Sequence, residues 1–570
     1  MENKLKDSIL FSFDVFLSLF FVFILSLFVT NYSFIFKSGI SNLTIQGEIF
    51  IFCLFVRWFV DKESFSDSML VKRLRYLIKV NDGRLLVLIS VLLFLILFFI
   101  GVMRHFAFSS AGIDLGVSDQ ALWNTIKGRV LFSSLDGNIS HLGAHFEPVY
   151  FLIAPLYFVW PNIIILIFLQ AFAIGLAVFP LYLIAKERLN SRFLVFAFVF
   201  AYFLSRPLRG IGLLDFHTDV FLIPLAFASY YLLITKRNFL AVIAMLLMLC
   251  CKENAAMLVF AYGIFTTITL RRYRLGIVLV VLSVTWWVTA TNYIMPYFAH
   301  TQSYPYLKWL PFGATYTDNI LAVIRNPMLL VNLFFSGGEL SLYTKLFLPL
   351  GMLSFLAPSH YVLFLMPLAL QVIGSVNHGG MMTLTSHYPA HTLPFIFISA
   401  IYGVGRLVEF LNLKVAKKYK RWIEKFPVMV GSFIIICSLA FFGKSDGHKL
   451  AKFFYSARDL HSSEVRQALK IISQEASVSA VHRLVPHLTH RKFIYIWETT
   501  PETRFLVEYV VLHRRLIEKE GERFDQFITE LKDKGFREIY RDRGSDLVIL
   551  FNPHYKESNL ESRQSRLISI

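Results

Sequence analysis

Residues 85–103 read LLVLISVLLFLILFFIGVM, and RHFAFSSAGIDLGVSDQALWN follows directly at 104–124. The first stretch is uncharged and long enough to cross about 30 Å of hydrocarbon as a helix. The second places two aspartates and a tryptophan just beyond its end. The same alternation of apolar runs and short polar stretches fills most of the chain. Of 570 residues, 56% are hydrophobic and 59 are Phe, and mean hydropathy is +0.59. Only 16% are charged, against about 25% in an average soluble protein. Such a chain can neither cover itself with polar groups as a soluble globule nor stay open as a disordered one. The fold class expected is a polytopic α-helical membrane protein.

Apolar runs lie at 9–30, 47–60, 85–103, 162–185, 193–206, 219–234, 239–250, 254–270, 275–293, 344–357, 359–375, 391–410 and 427–443, giving about 13 spans. Lys and Arg gather between 72 and 84, at 186–192, at 236–237, at 271–274 and at 414–425. Assigned to the cytoplasm, they explain much of the net charge of +18 and remove the nucleic-acid reading. Parity then requires 148–160 to be a surface-lying or re-entrant helix, interrupted at Trp160-Pro161-Asn162. The N-terminus falls inside. Loops 103–161 and 294–343 and the tail from 444 fall outside, on the extracytoplasmic face. The four cysteines all sit in apolar runs and predict no disulfide framework.

Three regions follow: a two-span extension over 1–84, a membrane domain over 85–443 and a soluble α/β domain over 444–570. In the tail, helix periodicity runs through 465–475 and 523–534. Strand-like runs fall at 478–481, 493–496, 506–512, 538–541 and 546–551.

Ionisable residues near membrane spans are costly unless paired, solvated or used. They gather in a few places. Asp114 and Asp119 flank Ser118, which is placed to cap a helix starting near Asp119. His141 precedes His145-Phe146-Glu147-Pro148. Arg206 and Arg209 precede Asp215-Phe216-His217-Thr218-Asp219. Lys252-Glu253-Asn254 divides two short apolar runs, and its Lys and Glu can simply neutralise each other. His378, His387-Tyr388-Pro389 and His391 enter the run at 391–410. His and carboxylate side chains at such spacing suit a divalent cation or a phosphate, although each cluster alone also suits an ordinary helix boundary. No Walker, nucleophile-elbow, zinc-protease or dinucleotide motif is present.

Taken in order, Asp114 to Asn124, His145 to Pro148, Asp215 to His217, Lys252 to Asn254 and His387-Tyr388 resemble a bacterial membrane-protein family catalogued as domain of unknown function 2079. Val485-Pro486-His487-Leu488-Thr489-His490-Arg491, Ile494-Tyr495 and Glu508 to Val511 extend the resemblance into the tail. The layout also resembles GT-C glycosyltransferases, which use polyprenyl-phosphate sugars. Their first external loop often carries Asp, a second acid, a small residue and an aromatic. Asp119-Gln120-Ala121-Leu122-Trp123 is similar, with Gln120 in place of the second acid.

The resemblance implies sugar transfer from a polyprenyl-phosphate donor to an extracytoplasmic acceptor. Asp119, with Asp114 as its rival, would take the acceptor proton. Lys252, Arg206 and Arg209 would meet the leaving phosphate. His145, Glu147, Asp215, His217, Glu253 and His387 would hold the sugar or a divalent cation (Mg or Mn). The competing expectations are a transporter or flippase of a lipid-linked substrate and a non-catalytic membrane scaffold.

Overall fold

The computed structural model describes residues 81–301, 304–313, 315–335, 337–384, 386–414, 420–442, 461–501, 503–517, 523–542, 544 and 546–556. The expected spans at 9–30 and 47–60, nearly all of the 1–84 extension and the junction at 443–444 lie outside the described residues. So does the centre of the basic cluster at 414–425. Contacts group the chain into two units, Met1–Ile89 with Phe441–Ser456, and Ser90–Ala440 with Ala457–Ile570. The second unit carries the candidate site.

The run at 85–103 forms the helix Asp82–Phe106, with Asp82 in its first turn and Arg104 and His105 in its last, as the helix dipole favours. Among the described residues, Ile164–Arg188, Tyr273–Ala299, Leu393–Leu411 and Lys425–Phe442 are also long and apolar enough to cross a membrane. Arg192–Leu204 and Arg206–Leu213 would make a sixth crossing, bent by 43°. The bend falls at Ser205, where Pro207 cannot supply the N–H that would continue the first helix.

Other expected crossings are shorter. Thr218–Ile234, Asn238–Cys251 and Glu253–Ile268 are apolar helices below spanning length. Tyr150–Val159 is ten residues, about 15 Å at 1.5 Å per residue, half the hydrocarbon thickness. Its exposed face is Phe151, Leu152, Leu156, Phe158 and Val159, and its buried face is Tyr150, Ile153, Ala154 and Tyr157. The run at 344–357 is not one helix. A helix ends at Phe347, and single turns follow at Leu348–Leu350 and Leu353–Leu356. Gly351 and Met352 are both left-handed, with φ of +61° and +58°, and two such residues end any right-handed helix. Helix Leu393–Lys414 packs on the second turn through Gly403, where a Cβ would meet the Leu353 carbonyl oxygen.

The segment that follows the first described helix has its own core, from Leu115, Ala121, Leu122, Leu131, Leu142, Tyr150, Ile153 and Tyr157. A two-stranded ribbon, β1 (Phe132–Ser133) against β2 (Ile139–Ser140), closes it. The tail forms a five-stranded sheet from β3 (Val478–Ala480), β4 (Ile494–Ile496), β5 (Tyr509–His513), β6 (Arg537–Asp542) and β7 (Leu547–Phe551), in the order β4-β3-β5-β7-β6. β3 runs parallel to both neighbours, and β7 is antiparallel to β5 and β6. Helices Ser462–Leu469 and Phe524–Asp533 bury their apolar faces against it. Phe108, from the end of the first described helix, is fully buried in this same core.

Candidate functional site

The helix Val117–Ile126 carries the aspartate motif. It continues a five-residue π-helical segment, Gly112–Gly116, with Gly116 at its N-cap. Ser118 therefore does not cap it. Its hydroxyl donates to the Asp114 carbonyl at 3.1 Å and pairs with the Tyr150 hydroxyl at 2.7 Å. Asp119 does fall in the first turn, but it is buried under the tail domain. Its carboxylate accepts from Tyr157 at 2.7 Å, from the Thr489 hydroxyl, and from His490 Nε2 at 3.1 Å. Burial alone would raise the Asp119 carboxyl, but His490 with the Thr489 and Tyr157 hydroxyls holds it below the usual carboxylate range. His490 is raised in turn by Asp119, against the effect of its own burial.

Gln120 has a different task from an acid. Its Oε1 accepts from the Ser134 N–H at 3.0 Å and the Ser133 hydroxyl at 3.1 Å. Its Nε2 donates to the carbonyls of Arg491 at 3.2 Å and Lys492 at 3.1 Å. Ser134 completes the joint, donating to the Ile494 carbonyl at 2.7 Å and accepting from the Ile494 N–H at 2.8 Å. A carboxylate at 120 could not donate to two carbonyls. The helix is thus the mount on which the tail domain sits.

Asp114 is the accessible aspartate, with 34% of its side chain exposed and His217 Nε2 at 3.5 Å. Beside it lies a buried polar centre drawn from four segments. Lys252 Nζ is 3.2 Å from Asp219 and 3.6 Å from Glu147. Glu147 meets His141 at 3.4 Å, and His141 meets Asp136 at 2.8 Å. Asp219 also has His391 at 3.1 Å and His387 at 4.0 Å. The His387 ring stacks on His217 at 3.9 Å. Burial would push the Glu147 carboxyl up, but the His141 hydrogen bond and the Lys252 ammonium bring it down to about 2. Burial likewise opposes the His141 imidazolium, yet Asp136 and Glu147 lift it to about 10.

The adjacent Lys252 and Glu253 do not neutralise each other. Glu253 turns to His145 at 3.1 Å, the Phe146 N–H at 3.1 Å and the Tyr304 hydroxyl at 3.2 Å. His145 and Glu147 accordingly diverge instead of sharing a ligand. Asp215 is held by both terminal nitrogens of Arg104, at 2.8 and 3.0 Å, and by the Ala111 N–H at 2.8 Å. Arg206 and Arg209 are half-buried on Arg206–Leu213, which packs against the turn Tyr388–His391. Arg209 donates to the Leu204 carbonyl at 2.6 Å.

A family model described as predicted membrane protein DUF2079 matches residues 104–538. The chain belongs to the DUF2079 family. The match takes in the aspartate helix, the Lys252 centre and most of the tail sheet of this DUF2079 protein. No curated protein matches it. Two solved structures of ArnT from Cupriavidus metallidurans are similar at 12% identity, each covering 82% of this chain and 98% of its own. The apo form has a TM-score of 0.44 and the form bound to undecaprenyl phosphate 0.45.

Among the described residues, no three His, Cys, Asp or Glu side chains converge as they would around a metal ion. The carboxylates of the DUF2079 centre face Lys252, histidines and Arg104. The expected Mg or Mn ligands do not fit a cation. Asp219, His141 and His391 lie in the expected polar clusters but carried no assigned role, Thr489 and His490 stood only in the tail motif, and Arg104, Asp136 and Tyr157 were not expected at all. Arg104 had a readable signal, as a charge at the last turn of a spanning run. Asp136 and Tyr157 had none, standing outside every polar motif of the sequence.

Proposed function

We propose that this DUF2079 protein is a membrane glycosyltransferase that moves a sugar from a polyprenyl-phosphate donor to an extracytoplasmic acceptor. The observation that carries the proposal is Asp114, a partly exposed carboxylate at the rim of a buried centre dense in charge. A general base has to reach the acceptor hydroxyl, and Asp119, with its oxygens already taken by Tyr157, Thr489 and His490, is the poorer candidate. In this reading Asp114 takes the acceptor proton. Arg206 and Arg209 meet the lipid phosphate, because Asp219 and Glu147 already offset the charge of Lys252. Glu147, His141 and Glu253 hold the centre rigid. No step runs through a metal ion.

The test uses the purified full chain in nanodiscs, supplied with a panel of undecaprenyl-phosphate monosaccharides, scored for donor consumption and lipid phosphate release. Asp114→Asn is expected to lower turnover by about 10²- to 10⁴-fold, the usual worth of a positioned base, with unchanged thermal stability. Asp119→Asn is expected to lower thermal stability instead. Full turnover in Asp114→Asn would sink the assignment.

A further inference from the structure

The aspartate base of a transfer enzyme has to be emptied of its proton before the next turnover. We propose that His217 receives that proton from Asp114, acting as the second member of an Asp–His catalytic dyad. The inference rests on the glycosyl-transfer reading above and adds a residue role to it.

Three contacts fix the imidazole. His217 Nδ1 lies 2.8 Å from the Asp215 carbonyl oxygen. A carbonyl can only accept, so Nδ1 carries the hydrogen and Nε2 is left to change its state. The backbone N–H of His217 donates to Gln170 Oε1 at 3.2 Å. The ring face lies on His387 at 3.9 Å, 19° from parallel. Asp215 cannot drift, because Arg104 grips both of its carboxylate oxygens and the Ala111 N–H adds a third bond. The one atom with chemical freedom, Nε2, is 3.5 Å from Asp114 Oδ1.

The step balances. The acceptor oxygen bonds to the sugar carbon as the bond from that carbon to the phosphate oxygen breaks, and its electron pair leaves on the lipid phosphate. The acceptor proton passes to Asp114, then from Asp114 to His217 Nε2, making an imidazolium whose Nδ1–H still rests on Asp215. Its side chain is 14% exposed, which lets water take the proton away. The charged and titratable groups facing His217 are Asp114, Asp219, Lys252 and His387. Burial and Lys252 favour the neutral ring, but Asp114 and Asp219 outweigh them and raise its pKa above 6.5. The acceptor form of His217 therefore grows as pH rises through that raised value.

Two measurements on the full chain in nanodiscs decide the matter. Turnover of undecaprenyl-phosphate monosaccharides should show an ascending limb centred above pH 6.5. His217→Gln should cut kcat by about 10²-fold, at the low end of acid–base contributions, remove that limb and leave the donor KM in place. A uniform loss of rate with the limb intact would mean a structural role and overturn the proposal. Nitrogen NMR of ¹⁵N-histidine-labelled protein, assigned with His217→Gln, should show the Nδ1–H tautomer and a midpoint that falls in Asp114→Asn. An Nε2–H tautomer, or a midpoint indifferent to Asp114, would also overturn it. Absence of turnover in the wild type with every donor would count against the glycosyl-transfer reading, while the NMR result still judges the dyad.

Discussion

Gln120 shows how one atom changes the meaning of a motif. Gln120 is as buried as Asp119, and its amide nitrogen serves the Ser134 hydroxyl and the carbonyls of Arg491 and Lys492, which an acid could not do. Gln120→Glu is expected to leave those buried carbonyls facing a carboxylate, at about 1–3 kcal/mol for each unsatisfied partner. Limited proteolysis of the intact protein should then cut between the membrane part and the tail, and Gln120→Met should do so less. Protection equal to the wild type in Gln120→Glu would contradict this account. The adjacent pair Lys252-Glu253 teaches the opposite lesson. Neighbours in sequence point in different directions at a helix start, so Glu253 finds His145, 108 residues away, and Lys252 finds Asp219 and Glu147.

At the scale of elements, the apolar runs were readable because hydrophobicity is additive along the chain, and Asp82–Phe106 follows its run closely. The tail strands were readable too, since buried β-branched stretches such as Leu547–Phe551 have few alternatives. The break at Gly351 and Met352 was not, because backbone handedness leaves little trace in hydropathy. Nor was the π-helical segment Gly112–Gly116, whose form is set by what packs on it. A Cβ at Gly112 would sit 3.0 Å from Val485 Cβ and 3.2 Å from His482 Cδ2. Gly112→Ala should therefore force the segment away from the tail domain, at about 1–3 kcal/mol for overpacking, seen as a lowered thermal midpoint. An unchanged midpoint would show that the contact yields freely. The same displacement moves Asp114, so turnover should fall with stability in this variant, unlike Asp114→Asn, which spares stability.

For the molecule as a whole, the site was legible as a list of polar motifs and illegible as a set of pairs. Asp119 and His490 are 371 positions apart, and nothing local in either motif names the other. Charge and burial also set a pH limit on the assembled fold. His513 in the tail sheet is fully buried, with neither ring nitrogen hydrogen-bonded among the described residues, and burial lowers its pKa to about 4. A lowered imidazole favours the neutral ring in the folded state. Its contribution is complete above pH 6.5 and is lost as pH falls toward 4, by about 1.4 kcal/mol per unit across that window. Denaturation midpoints of the full chain should decline across that window, and His513→Phe should flatten the decline. An equal slope in the variant would assign it to other groups.

The clasp between Asp119 and Thr489 spans 370 residues, and this sets a timetable for biogenesis. At about 5–20 residues per second, synthesis reaches Thr489 roughly 20–70 s after Asp119. Throughout that interval the aspartate helix is a mount with nothing on it, and Asp119 and Gln120 lack the tail partners that bury them. The nascent protein therefore passes through a stage in which this helix needs shelter, and the clasp closes only once the strands from Ile494 to Phe551 have also been made.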